Sequence, residues 1–584
     1  MSHYDTYVVL RRVLSRIPHL RVALLAAVLG AAAGGAAWVL LHLIRLFTNL
    51  FLFHRWGFEA SDFGDLDPSV WTVVAAVLGG GVVTLLALWA PVIRGHGIPE
   101  AMEAVLTRQS RISPRTAIAK PLSAAIAIGT GGPFGAEGPI IVTGGALGSL
   151  IGQVLHVSSN ERKVLLASGA AAGMAATFGT PLAAVVLAIE LLLFEFSTRA
   201  FVPLVVATSV AGAVHAALFG SGPLFAVPIH DFAGLSQLPW FALLGIGCGL
   251  LATLIAKGLF AVEHAYRRLP VGEVWHPIIG ALLWAPIGLL VPRALGVGYD
   301  VIDDALAGRL AVATLATLAV GKLVMWWLAL ASGTSGGTLA PILLISSCAG
   351  ALAGQGLHEV VPSVSPNAFA LVAMAATFGA ATRAPFAAIV FVFELTRDYN
   401  AVLPLMGATI LAEMIARALL RESIMTEKLA RRSVSVPGEY RPDVMAVTRV
   451  REIMSTDVHT LPSGTSLSDA VDCFLADGHS AYPVVEPTGT CIGFVTRADV
   501  LSANGDSPVV DDLAAAPISV SPNDRAIVVL QAMLDEGVDH VTVIDGDRLV
   551  GICTRTDLLR ARRALQRADE TQPGWITRLR RGEG

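Results

Sequence analysis

Residues 129–139 (GTGGPFGAEGP) set one carboxylate among glycines in a run that is otherwise apolar. An ionisable side chain within a membrane is costly and marks a functional site by default. Glycines leave backbone N–H groups open to a ligand, and a helix N-terminus attracts anions. The apolar pattern of residues 140–150 predicts such a helix directly downstream. The chemistry this implies is a small-anion site with a titratable group, Glu137, standing in it. Taken alone, the stretch is equally well read as a Gly-rich turn that leaves Glu137 in a polar crevice.

Two further stretches have the same build. Residues 95–100 (GHGIPE) precede a helical pattern at 101–106, and residues 333–341 (GTSGGTLAP) precede one at 342–352. Proline stands near each expected helix start, where its fixed φ and missing N–H do no harm. If the three starts converge, their amides and dipoles replace a small anion's hydration shell without a permanently bound arginine. Binding is then favourable but weak enough to release, as transport requires.

The elements around these stretches must lie in lipid. The 584 residues are 54% hydrophobic and only 15% charged, where a soluble protein carries about 25%; mean hydropathy is +0.66. Arg11, Arg12, Arg16 and Arg21 precede an apolar run at 22–53, too long for a signal peptide. An acidic loop (Glu59, Asp62, Asp65, Asp67) and a second apolar run at 71–92 follow, then Arg94, Arg108, Arg111, Arg115 and Lys120. Positive charge at both ends of this unit predicts a cytoplasmic N-terminus and a cytoplasmic 94–120 region. Later runs are broken near 129–140, 179–181, 333–341 and 379–385, as expected where helices line a cavity or pack inside protein.

An internal repeat supports this organisation. The sequence MAATFG occurs at 174–179 and again at 374–379; Pro181 stands nine residues before Glu190, and Pro385 nine before Glu394. Small-residue packing alone does not account for the matching Pro and Glu. Two related halves with interrupted helices point to a transporter-type fold with its site at the repeat interface. After Lys428, Arg431 and Arg432 the composition turns polar. Strand-like runs at 481–485, 491–495, 540–544 and 549–553 alternate with helical patterns at 467–477 and 525–536, predicting a soluble α/β part. It too repeats: GFVTRAD at 493–499 matches GICTRTD at 551–557.

Other chemistries find little support. Net charge is −4 and no basic run argues for nucleic acid. The five cysteines are scattered without ligand spacing, so neither disulfides nor a metal centre are expected. No nucleophile–base constellation suggests an enzyme, and no Gly-x-x-x-x-Gly-Lys-Ser/Thr loop suggests an ATP-driven pump. A divalent-cation transporter would need clustered intramembrane acids, and here they are few and separated.

The three glycine-rich stretches, in their order and separations, resemble the signature stretches of the CLC chloride channel and chloride/proton exchanger family. The soluble repeat resembles the paired CBS domains that many members carry, and together the resemblance covers roughly residues 20–561. It implies a polytopic all-α membrane domain of two inverted halves of broken helices, a cytoplasmic α/β CBS pair, and a homodimer with one pore per subunit. The division expected is a cytoplasmic N-terminus (1–21), the transmembrane domain (22–432), a linker (433–450), a first CBS repeat (451–505), a second (506–565) and a polar tail (566–584). The implied location is a bacterial inner membrane with both termini cytoplasmic.

The resemblance also implies roles. Glu137 resembles the gating glutamate that competes with the anion. His96, Gly97, Ile98, Phe134, Gly135, Ala136, Thr338, Leu339 and Met425 fall at anion-path positions. Lys120 resembles a basic residue adding positive potential near the pore; an interfacial snorkelling lysine is an equal reading of it. Three departures stand out: His96 where serine is common, Leu191 where exchangers often carry an inner proton-accepting glutamate, and Met425 where a pore-facing tyrosine is common. Glu190, beside Leu191, reads as a buried structural carboxylate. On these residues alone, the expectation is chloride or similar small-anion conduction through a voltage- or pH-gated pore, with chloride/proton antiport as the alternative. In the CBS pair, Thr496 and Asp499 with Thr554 and Asp557 fit an adenine-nucleotide pattern or, equally, helix caps. No cofactor is otherwise required.

Overall fold

The computed structural model describes residues 18–155, 157–225, 227, 235–434, 436, 445, 448–503 and 509–571. Arg11, Arg12 and Arg16, most of the expected N-terminal segment, much of the 433–450 linker and most of the 566–584 tail lie outside the described residues. The chain divides into two units, Met1–Tyr440 and Arg441–Gly584.

The first unit is helical. Its first half contains α1 (Pro18–Leu52), α2 (Val70–Trp89), α3 (Ile98–Thr107), α4 (Pro114–Gly129), α5 (Glu137–Val154), α6 (Ser159–Phe178), α7 (Pro181–Ala188) and α8 (Thr198–Phe219). The second contains α9 (Leu238–Arg267), α10 (His276–Leu290), α11 (Tyr299–Leu306), α12 (Val312–Ala331), α13 (Leu339–His358), α14 (Pro366–Thr382), α15 (Pro385–Thr396) and α16 (Val402–Leu419), with the short α17 (Glu427–Arg431) after it. Among the described residues, eight helices are long and apolar enough to cross a membrane. The outer helices turn Leu24, Val28, Leu85, Leu254 and Leu290 outward, which lipid tolerates and water does not. The inner layer is α5 and α6 in one half and α13 and α14 in the other, where nearly every side chain is buried.

Glycine sets how closely this inner layer packs. A methyl group built on Gly144 would lie 2.1 Å from the Gly169 carbonyl oxygen, and one on Gly148 would lie 2.1 Å from that of Leu165. Association within lipid depends on such close backbone approach, because no hydrophobic force acts between helices there. Gly350 and Gly354 bring α13 to α14 in the same manner.

The second unit holds α18 (Leu467–Asp477), α19 (Arg497–Ser502), α20 (Ala526–Glu536) and α21 (Arg555–Thr571). Two three-stranded sheets accompany them: β1 (Leu461–Pro462), β2 (Ala481–Val485) and β3 (Cys491–Thr496), then β4 (Ser519–Val520), β5 (His540–Asp545) and β6 (Arg548–Thr554). In each sheet the first pair is parallel and the second antiparallel. The four expected strands and two expected helices are present, within a residue or two at their ends. The expected division at 505/506 follows the sequence repeat, but the cores do not respect it. Met445 and Val450 pack with the second repeat, and Ser455 pairs with Ile552. Val510, Leu513 and Ala514 pack with the first. Each leading segment has crossed to the other copy, because a repeat reveals the copies and not which core a connector joins.

Gly144→Ala is expected to destabilise the membrane unit by about 1–3 kcal/mol through overpacking. Gly145→Ala, whose methyl meets its nearest neighbour at an ordinary 3.5 Å, should be tolerated. Thermal unfolding in detergent checks both, and equal midpoints for the two variants would contradict the packing account.

Candidate anion site

The three glycine-rich stretches converge. Gly135 and Gly337 exchange two backbone hydrogen bonds, Gly135 N–H to Gly337 O at 3.2 Å and Gly337 N–H to Gly135 O at 2.8 Å. The loop before α3 closes on the same point: a methyl on Gly138 would sit 1.9 Å from the His96 carbonyl oxygen, and one on Gly97 would sit 2.6 Å from that of Gly138. Any side chain at either position would part the loops. The helices begin at Ile98, Glu137 and Leu339, earlier than the apolar patterns suggested. The unpaired first-turn N–H groups let Pro99, Pro139 and Pro341 stand inside the first turn.

Glu137 is 1% exposed. Its carboxylate neighbours the N–H groups of Glu137 itself and Ala340. Oε1 accepts a hydrogen bond from the Tyr299 hydroxyl at 2.9 Å, and Oε2 has no close hydrogen-bond partner among the described residues. A methyl on Gly337 would come within 2.7 Å of that oxygen, so the carboxylate stands across the junction of the helix starts. Phe134 is fully buried with its ring against Gly336. Gly97, Ile98, Gly135, Ala136, Thr338 and Leu339 are all buried around the junction. Further unpaired buried polar atoms come from the same stretches: His96 Nδ1, Ser335 Oγ and Thr338 Oγ1. The imidazole also neighbours the Ile424 backbone and Lys428. Met425, next in the chain, is fully buried, and its N–H donates to Ser423 Oγ at 3.2 Å.

Lys120 is not an interfacial snorkelling lysine. It is fully buried, and its Nζ donates to the carbonyls of Ile93 and Gly95, both at 2.7 Å. Its charge therefore lies behind the His96 loop, holding it. Lys322 on α12 does the same in the second half, donating to Ala294 O at 3.0 Å, Gly296 O at 2.6 Å and Val297 O at 3.3 Å. This fourth loop ends at Tyr299, the partner of Glu137. Neither Lys322 nor Tyr299 was reached from the sequence, although a signal was present. Pro292, Gly296 and Gly298 repeat Pro91, Gly95 and Gly97 at a spacing of 201.

The repeated glutamates are structural, and reciprocal. Glu190, in the π-turn Ile189–Leu193 after α7, accepts from Ala387 N–H at 2.9 Å at the start of α15. Glu394, near the end of α15, accepts from Leu182 and Ala183 N–H at 3.1 and 2.7 Å at the start of α7. Each carboxylate caps the other half's helix, satisfying orphan donors. Leu191 beside Glu190 is buried.

In the second unit both Thr–Asp pairs form capping boxes. Asp499 Oδ2 accepts from Thr496 N–H at 2.9 Å and from its hydroxyl at 2.6 Å; Asp557 Oδ2 accepts from Thr554 at the same two distances. The helix-cap role is thus present in both copies, and one oxygen of each carboxylate is committed to it.

The sequence model of the family described as "Voltage gated chloride channel" matches residues 73–417, and that of the CBS domain matches 450–506 and 510–564. A putative chloride channel protein ClcB-like of Ralstonia nicotianae is 29% identical over 62% of this chain and 86% of its own length. The H(+)/Cl(−) exchange transporter ClcA of Vibrio campbellii is 30% identical over 64% of this chain and 82% of its own. Among solved structures, a slow cyanobacterial Cl−/H+ antiporter is similar at a TM-score of 0.60, 26% identical, over 71% of this chain and 97% of its own. A eukaryotic CLC transporter shares the fold at a TM-score of 0.57 and 21% identity, over 92% of this chain and 98% of its own.

If both lysines act as clamps, Lys120→Met and Lys322→Met should each lower stability by about 1–3 kcal/mol, because each strands buried carbonyls. Thermal midpoints and anion affinity, measured together, test this. A Lys120→Met protein of unchanged midpoint but weakened anion binding would show that the charge, not the clamp, is what matters.

Proposed function

The chain belongs to the voltage gated chloride channel family and is a multi-pass membrane protein that transports chloride, and from that premise we propose that it exchanges chloride for protons, with Glu137 as the gate. The observation that carries the gate is the placement of its carboxylate across the junction, with one side-chain hydrogen bond and one oxygen without a close partner among the described residues. A chloride ion and a carboxylate compete for the same amides and helix-start dipoles. Protonation of Oε2 cancels the charge those dipoles hold and weakens the bond accepted from Tyr299, since bonds to charged groups are the stronger ones. The neutral side chain then leaves the junction and chloride takes its place. When the proton is taken up from one side of the membrane and released to the other, its departure returns the carboxylate to the junction, and the cycle moves the proton against the chloride.

His96 supplies the remaining ligand in this reading. Its buried, unpartnered Nδ1 is a donor to the anion when it carries the proton, while Thr338 Oγ1 and Ser335 Oγ add hydroxyls. Met425 contributes an apolar wall. We further propose a homodimer in a bacterial inner membrane, both termini cytoplasmic, with the CBS pair modulating transport and an adenine nucleotide as its ligand. The exchanger relatives support proton coupling over the passive conduction that the sequence departures favoured. Passive, gated conduction stays as the second reading on one observation: Leu191 carries no proton, and its neighbour Glu190 is tied to Ala387.

Reconstituted liposomes separate the two. Chloride efflux measured beside proton uptake should show coupled movement, and a proton gradient should shift the reversal potential; chloride flux indifferent to that gradient means passive conduction. Glu137→Ala should abolish proton uptake and pH dependence while chloride flux persists. Loss of all flux from a folded protein would count against the gate. Tyr299→Phe removes the side-chain hydrogen bond on the carboxylate, worth about 1.5–3 kcal/mol for a charged acceptor. The gate should open more readily, so chloride turnover should rise roughly tenfold or more while proton coupling falls. His96→Ala should weaken chloride binding, with His96→Ser restoring part of it.

A further inference from the structure

The second unit carries an arrangement that chloride transport does not use. His459 precedes β1 by two residues; Asp477 ends α18; Gly478 turns the chain at φ +70°; and His479 follows it into β2. The parallel pairing of β1 with β2 brings the three side chains together. Their ligand atoms lie within 4.8 Å of one another, with His459 Nδ1 3.2 Å from Asp477 Oδ2. Two donors bound tetrahedrally to one zinc ion stand about 3.3 Å apart, given bonds of roughly 2.0–2.1 Å. We propose that His459, Asp477 and His479 form a surface site for a borderline divalent cation, Zn2+ first and Co2+ or Ni2+ as its analogues. Two imidazoles select such metals over Mg2+ and Ca2+, which take oxygen ligands.

Two observations beyond proximity carry the proposal. The first is the repeat, which supplies an internal control. Val484 and Val543 hold the same register, opposite Gly493 and Gly551. Leu461 and Val520 pair with them, and Gly478 and Gly537 cap the corresponding helices. His459, Asp477 and His479 therefore correspond to Ile518, Glu536 and Val538, and in the second copy Ile518 and Val538 pack against the apolar core. The scaffold wants apolar residues at these two positions, and the first copy has imidazoles in both, half a turn of chain from a carboxylate. The second observation is a supporting contact: the buried Tyr482 hydroxyl donates to Asp477 Oδ2 at 3.3 Å, the kind of outer contact that orients a metal-ligating carboxylate. The Arg497 guanidinium fixes the backbone that carries His479, donating to the carbonyls of Phe474 and His479 at 2.8 and 3.2 Å. The sequence hid the site because its ligands, twenty residues apart at the extremes, meet only through strand pairing.

The test uses the full-length protein in detergent, stripped with EDTA and titrated with Zn2+ against a chromophoric chelator, and with Co2+ by visible absorption. One zinc per chain should bind at this site, and Co2+ should give the intense d–d bands of low coordination. His459→Ala or His479→Ala should each cost at least tenfold in affinity, as disturbing even outer-shell contacts costs 10–100-fold. The double variant H459I/H479V, which restores the second copy's apolar packing and so preserves the fold, should lose this zinc and the cobalt bands while keeping wild-type elution and thermal midpoint. Wild-type protein that takes up no zinc, or a double variant that binds it like wild type, would overturn the proposal.

Discussion

The membrane unit depends on one contact, the reciprocal pair of backbone hydrogen bonds between Gly135 and Gly337. It joins the two halves at equivalent positions, 202 residues apart, and does so without side chains. In lipid no water satisfies a broken backbone, so irregular chain survives there only where it is buried against protein. The loops before α5 and α13 satisfy one another. That lets both helices start inside the protein and bring their unpaired N–H groups to one place. The loop before α3 is held at the same place by Lys120 and by the side-chain-free faces of Gly97 and Gly138. The proposed anion site thus follows from how broken helices are accommodated; the amides offered to an anion are those the breaks leave over.

The capping glutamates obey the same constraint. The starts of α7 and α15, although they turn Leu182 and Phe386 outward, also leave first-turn N–H groups without intrahelical partners. Glu394 and Glu190, each from the opposite half, supply the acceptors. A carboxylate in this environment has two very different fates. Bound to helix N–H groups it is a fixed structural part, as these two are. Glu137 instead takes the Tyr299 hydroxyl on Oε1 and lies beside the first-turn amides of its own helix and of Ala340, with no close partner on Oε2 among the described residues, the arrangement on which the proposed exchange with an ion rests.

Much of this was legible in the sequence, and the rest was hidden for physical reasons. The spans, the repeat, the three glycine-rich stretches and the α/β character of the second unit all announce themselves through periodicity or through the backbone freedom of glycine. The sequence left Lys120 open between a pore-side charge and an interfacial lysine, because a lone lysine beside an apolar run looks the same whether it reaches lipid headgroups or buried carbonyls. Tyr299 was invisible because its loop, 296–298, lacks the helix-start proline that marks the other three stretches, so only alignment of the halves brings it out. The crossing of residues 445–455 and 509–515 between cores was unreadable, since apolar residues fit either copy.

The halves also divide labour in a way that the repeat makes explicit. Where they agree, the residue serves architecture: Lys120 and Lys322 clamp loops, Glu190 and Glu394 cap helices, Gly135 and Gly337 pair. Where they differ, the junction acquires its chemistry. At the spacing of the Gly135–Gly337 pair, Glu137 stands opposite Leu339 and Phe134 opposite Gly336, whose bare backbone receives the ring. At the spacing of the Gly97–Gly298 pair, His96 stands opposite Val297 and Ile98 opposite Tyr299. One half therefore supplies the carboxylate and the imidazole, and the other supplies the hydroxyl that holds the carboxylate. A symmetric junction would place either two carboxylates or none at the meeting point. Two would repel each other as well as the anion, and none would leave nothing there to take up a proton. The single gate proposed for this junction requires the halves to have diverged at these positions while keeping the clamps, caps and glycine pair around them alike.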